Sequence, residues 1–152
     1  MKFPKDVRAA VRRFNRSYTN LIGVVDRHIL SSPFSLTEAR VLYEVHHGNG
    51  VTTRQLKNLL AVDEGYMSHV VEKLVSQGLV EKRKSDGDKR ITLLNLSSRG
   101  RERFQELDSR SEEAVGRLTD GLSPEQSRRL TEAMDRILQI LGPREEVEND
   151  PR

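Results

Sequence analysis

The sequence predicts a mainly α-helical fold carrying one small β-hairpin, and three observations lead to it. Apolar residues recur at intervals of three and four along most of the chain, the spacing of a single helix face. Ser/Thr-x-x-Glu/Gln boxes at Ser35–Glu38, Thr52–Gln55 and Ser123–Gln126 mark helix starts. One basic stretch, Leu79–Leu96, breaks the helical period around a turn-rich centre and reads as two strands.

The elements follow in chain order. From about Pro4 to Leu30, the residues Val7, Val11, Phe14, Tyr18, Leu21, Ile22, Val25 and Ile29 share one helix face. Ser31-Ser32-Pro33 ends it, because proline pushes the residue before it out of helical geometry. In the first box the Ser35 hydroxyl accepts a helix N–H while Glu38 reaches back. That helix is expected to turn Leu36, Ala39, Leu42 and Val45 inward and to stop at His47-Gly48-Asn49-Gly50. Thr52 opens a short helix with Leu56, Leu59 and Leu60 inward. Asp63 caps a third, which buries Met67, Val70, Val71, Leu74 and Val75 and ends with Gly78 just past its C-terminus. Leu79–Lys84 and Arg90–Leu96 are the strands, joined through Ser85-Asp86-Gly87-Asp88-Lys89.

Ser97 then caps a long helix bearing Phe104, Leu107, Ser111, Ala114, Val115, Leu118 and Leu122. The last helix opens at Ser123 with Pro124 in first position, presents Leu130, Met134, Ile137, Leu138 and Leu141, and ends at Gly142-Pro143. A short helix, a tight turn, a second helix and a basic hairpin are the parts of a winged helix-turn-helix. The expected organisation is therefore a dimerisation helix in 1–34, the winged helix-turn-helix in 35–97, two C-terminal dimerisation helices in 98–142 and a disordered polar tail in 143–152.

Composition narrows the partners. In 152 residues, 35% are hydrophobic and 32% charged, with no Trp, which suits an elongated helical protein that completes its core by dimerising. The net charge is only +3, so its distribution matters more than its sum. Base gathers in the first helix (Lys2, Lys5, Arg8, Arg12, Arg13, Arg16) and the hairpin (Lys82, Arg83, Lys84, Lys89, Arg90), acid in the tail (Glu145, Glu146, Glu148, Asp150). A polyanion is expected at the hairpin. The absence of cysteine excludes disulfides, thiolate metal sites and thiol redox switches. No apolar run approaches the roughly 20 residues of a membrane span, and no apolar segment follows the basic N-terminus. A cytoplasmic protein is expected.

In a helix-turn-helix the second helix enters the major groove, N-terminal residues nearest the bases. Burial of Met67, Val70, Val71 and Leu74 leaves Gly65, Tyr66, Ser68, His69, Glu72 and Lys73 outward. Gly65 permits close backbone approach, Ser68 and His69 suit base edges, Lys73 a phosphate, and Tyr66 a thymine methyl or a phosphate. Thr53 and Arg54 at the start of the preceding helix join this candidate set, as does Lys84 of the hairpin. The competing reading is a solvated surface, with Tyr66 packed on a neighbouring helix. At the hairpin tip, Arg90 suits a narrow minor groove and Asp88, two residues earlier, is placed to fix its direction, with Lys89 between them. An ordinary charged edge hairpin is the alternative there.

These residues resemble the MarR family of regulators. Ser35-Leu-Thr-Glu-Ala-Arg-Val-Leu-Tyr-Glu-Val45 is similar to that family's opening helix-turn-helix segment. Leu74-Val-Ser-Gln-Gly-Leu-Val-Glu-Lys-Arg83, then Asp88-Lys-Arg90, then Leu96-Ser-Ser-Arg-Gly100 resembles its recognition-helix end, Asp-x-Arg wing and Leu-Thr-x-x-Gly helix start, with Ser97 in place of the usual Thr. Val11-Arg-Arg-Phe-Asn-Arg-Ser-Tyr-Thr19 and Ser32-Pro-Phe-Ser-Leu-Thr-Glu-Ala-Arg40 are similar to MarR modules fused to an acetyltransferase domain. No later strand set or acetyl-CoA loop follows in this sequence, so no enzymatic activity is expected.

The resemblance implies a homodimer on a pseudo-palindromic stretch of double-stranded DNA, acting as a nucleoid-associated transcriptional regulator. It also implies a small aromatic or anionic ligand that loosens DNA binding, with Phe14, Arg16, Tyr18, His28, Phe34 and Tyr43 as candidate pocket residues. Packing is the alternative role for all six. A winged-helix protein-interaction module and a stand-alone remnant of the acetyltransferase fusion remain alternative readings. His46-His47, with His28, raises a metal question, but adjacent histidines diverge on a helix and no carboxylate cluster accompanies them. No metal or cofactor is expected.

Overall fold

A computed structural model describes residues 3–21 and 32–142. The elements run α1 (Phe3–Leu21), α2 (Leu36–His47), α3 (Thr53–Leu60), α4 (Glu64–Ser76), β1 (Val80–Lys84), β2 (Thr92–Leu96), α5 (Ser98–Thr119) and α6 (Pro124–Leu141). This is the mainly helical order with a single hairpin that the sequence predicts. The expected continuation of the first helix through Ile22, Val25 and Ile29, and the 143–152 tail, lie outside the described residues.

Local chemistry starts each helix where the boxes place it. The Ser35 hydroxyl accepts the Glu38 N–H at 3.2 Å and the Glu38 carboxylate accepts the Ser35 N–H at 3.1 Å. Thr52 with Gln55, and Ser123 with Gln126, repeat the exchange. Asp63 accepts the Tyr66 N–H at 2.8 Å. Each such cap contributes about 1 kcal/mol by satisfying N–H groups that the helix itself leaves open. Ser97 caps α5 more elaborately. Its oxygen accepts the Gly100 N–H at 2.9 Å while its hydroxyl donates to the Gly78 carbonyl at 2.6 Å, tying the end of α4 to the start of α5. Gly100 permits this seam, because a Cβ there would stand 2.0 Å from the Leu79 carbonyl oxygen. Gly78, past the C-terminus of α4, takes φ +69°, a conformation that glycine adopts without steric cost.

The chain divides into two compact units, Met1–Val115 and Gly116–Arg152. In the first, α2, α3 and α4 pack together and against the hairpin. Val41, Leu42, Leu56, Met67, Val71, Leu74 and Leu94 are the fully buried side chains of that core. β1 and β2 pair antiparallel from Val80 opposite Leu96 to Lys84 opposite Thr92. Val51 adds a bridge on the other edge of β2 that no alternation signals: it exchanges two hydrogen bonds with Leu94 and anchors the hairpin to the α2–α3 connection.

Three expectations are corrected. Leu36 and Leu59 point outward, 52% and 61% exposed. In α2 the buried arc comprises Glu38, Ala39, Val41, Leu42 and Val45, and Leu36 lies roughly 150° from its centre at 3.6 residues per turn. Glu38, expected only as a cap, is thus buried at 5% exposure. In α3 it is Leu56 that fills the core, while Leu59 shares a shallow recess with Leu36, Leu60 and Val62. Leu122 falls beyond the end of α5, in the turn before Ser123.

Two apolar stripes stay exposed. On α1 they are Val7, Val11, Phe14, Tyr18 and Leu21; on α6, Leu130, Met134, Ile137, Leu138 and Leu141. Among the described residues no helix is long and apolar enough to cross a membrane.

Candidate nucleic-acid interface

The geometry of α4 follows from its buried side. Met67, Val70, Val71 and Leu74 lie in the core, so Gly65, Tyr66, Ser68, His69, Glu72 and Lys73 are all exposed. They differ in what holds them. Tyr66 donates its hydroxyl to Thr37 Oγ1 at 3.4 Å. Lys73 Nζ sits 2.5 Å from Glu38 Oε1, so a carboxylate already engages the group expected at a phosphate. Glu72 pairs with Lys82 of β1, joining the helix to the wing. Between these ties, the side chains of Ser68 and His69 make no hydrogen bond or ion pair among the described residues. Only the Asp63 carboxylate, at 3.3 Å, lies near a would-be Cβ of Gly65. Packing therefore gives this helix little reason to carry a glycine in its first turn, where it lowers helix stability by up to about 1 kcal/mol. The outward row keeps a bare centre and tethered ends.

Ahead of α4, Thr53 is half-buried and Arg54 exposed in the first turn of α3, where backbone N–H groups favour an anion. Lys57 reaches across to Glu64 at 3.5 Å and braces the two helices.

The wing is built from short-range pairs. The Ser85 N–H donates to the Ile91 carbonyl and the Ile91 N–H to the Asp88 carbonyl, each at 3.0 Å, closing the turn. Lys84 Nζ donates to Thr92 Oγ1 at 3.0 Å across the strands. Asp86 attracts Arg83 at 3.3 Å and Lys89 at 3.6 Å. Asp88 accepts the backbone N–H of Arg90 at 3.0 Å, Nε at 3.2 Å and Nη2 at 3.4 Å. That backbone hydrogen bond first, and the guanidinium second, hold the Asp88 carboxyl below its ordinary value of 3.8. The Arg90 side chain remains 92% exposed. Exposed pairs of this kind add little stability. Their effect is direction: Arg90 stands in solvent with its orientation fixed by a neighbour.

The six candidate pocket residues do not form one lining. Phe14 and Tyr18 stack on each other along α1, ring centres 5.4 Å apart, and Arg16 flanks a shallow recess with Arg8 and Arg12. Phe34 is core, at 6% exposure. His28 lies outside the described residues. Tyr43 borders an open groove of about 390 Å³ between α2 and α5, lined also by Arg40, Phe104, Leu107, Asp108 and Ser111. All of these but Arg40 come from α5, some 60 residues downstream of Tyr43, and no local pattern announces the meeting. His46 stacks on Phe104 at 4.2 Å, and the His47 ring lies 4.2 Å from that of Tyr43, so both rings belong to this aromatic cluster. No group of three metal-ligating side chains occurs among the described residues.

Comparison with known proteins places this architecture. Residues 32–91 match the model of the MarR family. The chain is 32% identical over 98 residues to the HTH-type transcriptional regulator BilQ of Clostridium symbiosum (strain WAL-14163), covering 64% of this chain and 65% of that one. It thus spans just under two thirds of that relative's length. Among solved structures it resembles Streptococcus pneumoniae FabT in complex with DNA, with a TM-score of 0.76 at 20% identity over 89% of this chain and 96% of that one. It also resembles Bordetella bronchiseptica BpsR, whose DNA binding is regulated by 6-hydroxynicotinic acid, with a TM-score of 0.66 at 18% identity, covering 85% and 98%. At these identities the structures establish the fold.

Proposed function

We propose that this chain, whose residues 32–91 match the model of the MarR family, is a dimeric, sequence-specific DNA-binding regulator of transcription, modulated on a pseudo-palindromic operator by a small ligand. The observation that carries this reading is the bare centre of the α4 row beside a wing arginine whose direction is already set. Gly65, Ser68 and His69 face the bases in it, with Tyr66 at their edge. Thr53, Arg54, Lys84 and Lys89 meet phosphates, and Arg90, aimed by Asp88, enters the minor groove. The fold relatives solved with DNA or regulated by a small aromatic acid support the same assignment for this chain. The ligand belongs in the α2–α5 groove at Tyr43, where Arg40 supplies charge and Phe104 an aromatic wall. No residue set in the described chain calls for an enzymatic role, and the protein is read as a binding protein of the cytoplasm.

The test is a hydroxyl-radical footprint on a duplex selected from random sequence by the purified protein. Two protected tracts about 10 base pairs apart on one face of the duplex are expected, one per recognition helix. A single uninterrupted tract, or failure to enrich any sequence, would overturn the reading.

A further inference from the structure

We infer that Glu38 is a specificity-determining positioning residue: it holds the Lys73 ammonium off the DNA backbone and pins the recognition helix to the first turn of α2. The inference rests on the DNA-binding reading above. Its starting point is a comparison the chain makes with itself. All three capping boxes ask the same of their fourth residue, to accept the N–H of the cap. Gln55 does so at 2.8 Å, Gln126 at 2.9 Å and Glu38 at 3.1 Å. A neutral amide therefore suffices for capping. Yet the box that faces α4 carries a carboxylate, and it is the buried one, 5% exposed, whereas Gln55 and Gln126 are exposed. Desolvating a carboxylate costs far more than desolvating an amide, so a charge at this position needs a partner.

The partner is Lys73. Glu38 divides its two oxygens, Oε2 to the Ser35 N–H and Oε1 to Lys73 Nζ. Seven residues earlier, two turns of helix, Tyr66 reaches Thr37, the neighbour of Glu38. The outward row of α4 is thus fastened at both ends to consecutive residues of α2. Between the two ties, the side chains of Ser68 and His69 are free to meet DNA. A lysine at the back of a recognition helix would otherwise add attraction to any phosphate, independent of sequence. Engaged by Glu38, it adds none, and the preference among sequences rests on the side chains that touch bases.

The chain also indicates the test, since glutamine serves this position in its other two boxes. Glu38→Gln keeps the cap and releases Lys73; Glu38→Gln with Lys73→Met removes both partners without stranding a buried charge. In the free protein, acetic anhydride labelling followed by mass spectrometry should modify Lys73 several-fold faster in Glu38→Gln than in wild type, with Lys89 unchanged. On duplex DNA, Glu38→Gln should bind random sequence more tightly and steepen the log–log salt dependence by about 0.9 per protomer. Its preference for the selected site over random sequence should fall several-fold, and the double variant should return to the wild-type slope. The inference is overturned if Lys73 labelling is the same in Glu38→Gln and wild type. It is equally overturned if the double variant is shallower than wild type by that increment, which would place Lys73 on a phosphate in the native complex. A wild-type protein with no salt-dependent DNA affinity would sink the DNA-binding reading, while the labelling would still decide whether Glu38 holds Lys73.

Discussion

Leu138→Glu is expected to give a folded monomer that binds its operator at least about 100-fold more weakly, since avidity of linked sites adds 10²- to 10⁴-fold. The expectation comes from the unpartnered face of α6. Leu130, Met134, Ile137, Leu138 and Leu141 form its apolar stripe, Ile140 lies close by, and no residue of this helix is buried. On α1, Val7, Val11, Phe14, Tyr18 and Leu21 alternate spacings of four and three, the pattern of a helix seam. Contiguous apolar stripes on a soluble chain mark an interaction surface, and the second copy implied by a two-fold operator is the partner that fits. Leu138 is 68% exposed, so a carboxylate there disturbs no packing within the single chain. It would place two charges at the seam instead. Sedimentation velocity measures the state of assembly and fluorescence anisotropy the affinity. A dimer of wild-type affinity would show that this face of α6 is not the seam.

Arg90→Ala should lower operator affinity by about 10- to 100-fold, the worth of one well-placed charged contact to DNA. Its side chain is 92% exposed and touches only Asp88 among the described residues, so the melting temperature should stay within a degree or two. Asp88→Asn separates orientation from charge. It keeps an oxygen for the Arg90 N–H but removes the charge that aligns the guanidinium. Binding must then order that side chain, at about 0.5–1.5 kcal/mol. The loss should be smaller than for Arg90→Ala and largely independent of salt. The carboxyl of Asp88 is held below its ordinary value, so the ionised pair is intact above that value and is lost only as pH falls through the lower folded one. Above about pH 5 the wing should therefore add no pH dependence to DNA binding. Anisotropy titrations at several pH values check both statements. Wild-type affinity in Arg90→Ala would remove the wing from the interface.

What the sequence disclosed was local, and what it concealed was tertiary. Caps at Ser35, Thr52, Asp63 and Ser123 are legible because every atom involved lies within four residues. The Asp88–Arg90 pair is legible for the same reason. The buried side of α4 emerged correctly because four apolar residues leave only one arc for the core. In α2 a similar argument misplaced Leu36, since Val41 and the buried Glu38 shift the centre of the arc. The charge of Glu38, where the other boxes carry Gln, was the one sequence clue to its tie with Lys73. Nothing local indicates that Val51 completes the sheet or that Tyr43 meets Phe104 across the α2–α5 groove. Of the pocket residues proposed on α1, Phe14 and Tyr18 share a helix face while Arg16 lies on the other side, and a shared face does not define a cavity.

The most direct test asks whether the bare centre of α4 reads bases. Binding-site selection is run in parallel on wild-type and His69→Ala dimers of equal stability. If the imidazole contacts a base edge, His69→Ala should lose its preference at one base pair in each half-site, a discrimination of about 1–3 kcal/mol. The remaining positions and the salt dependence should be unchanged, because no phosphate contact is lost. An identical motif from both proteins would contradict the account at its centre.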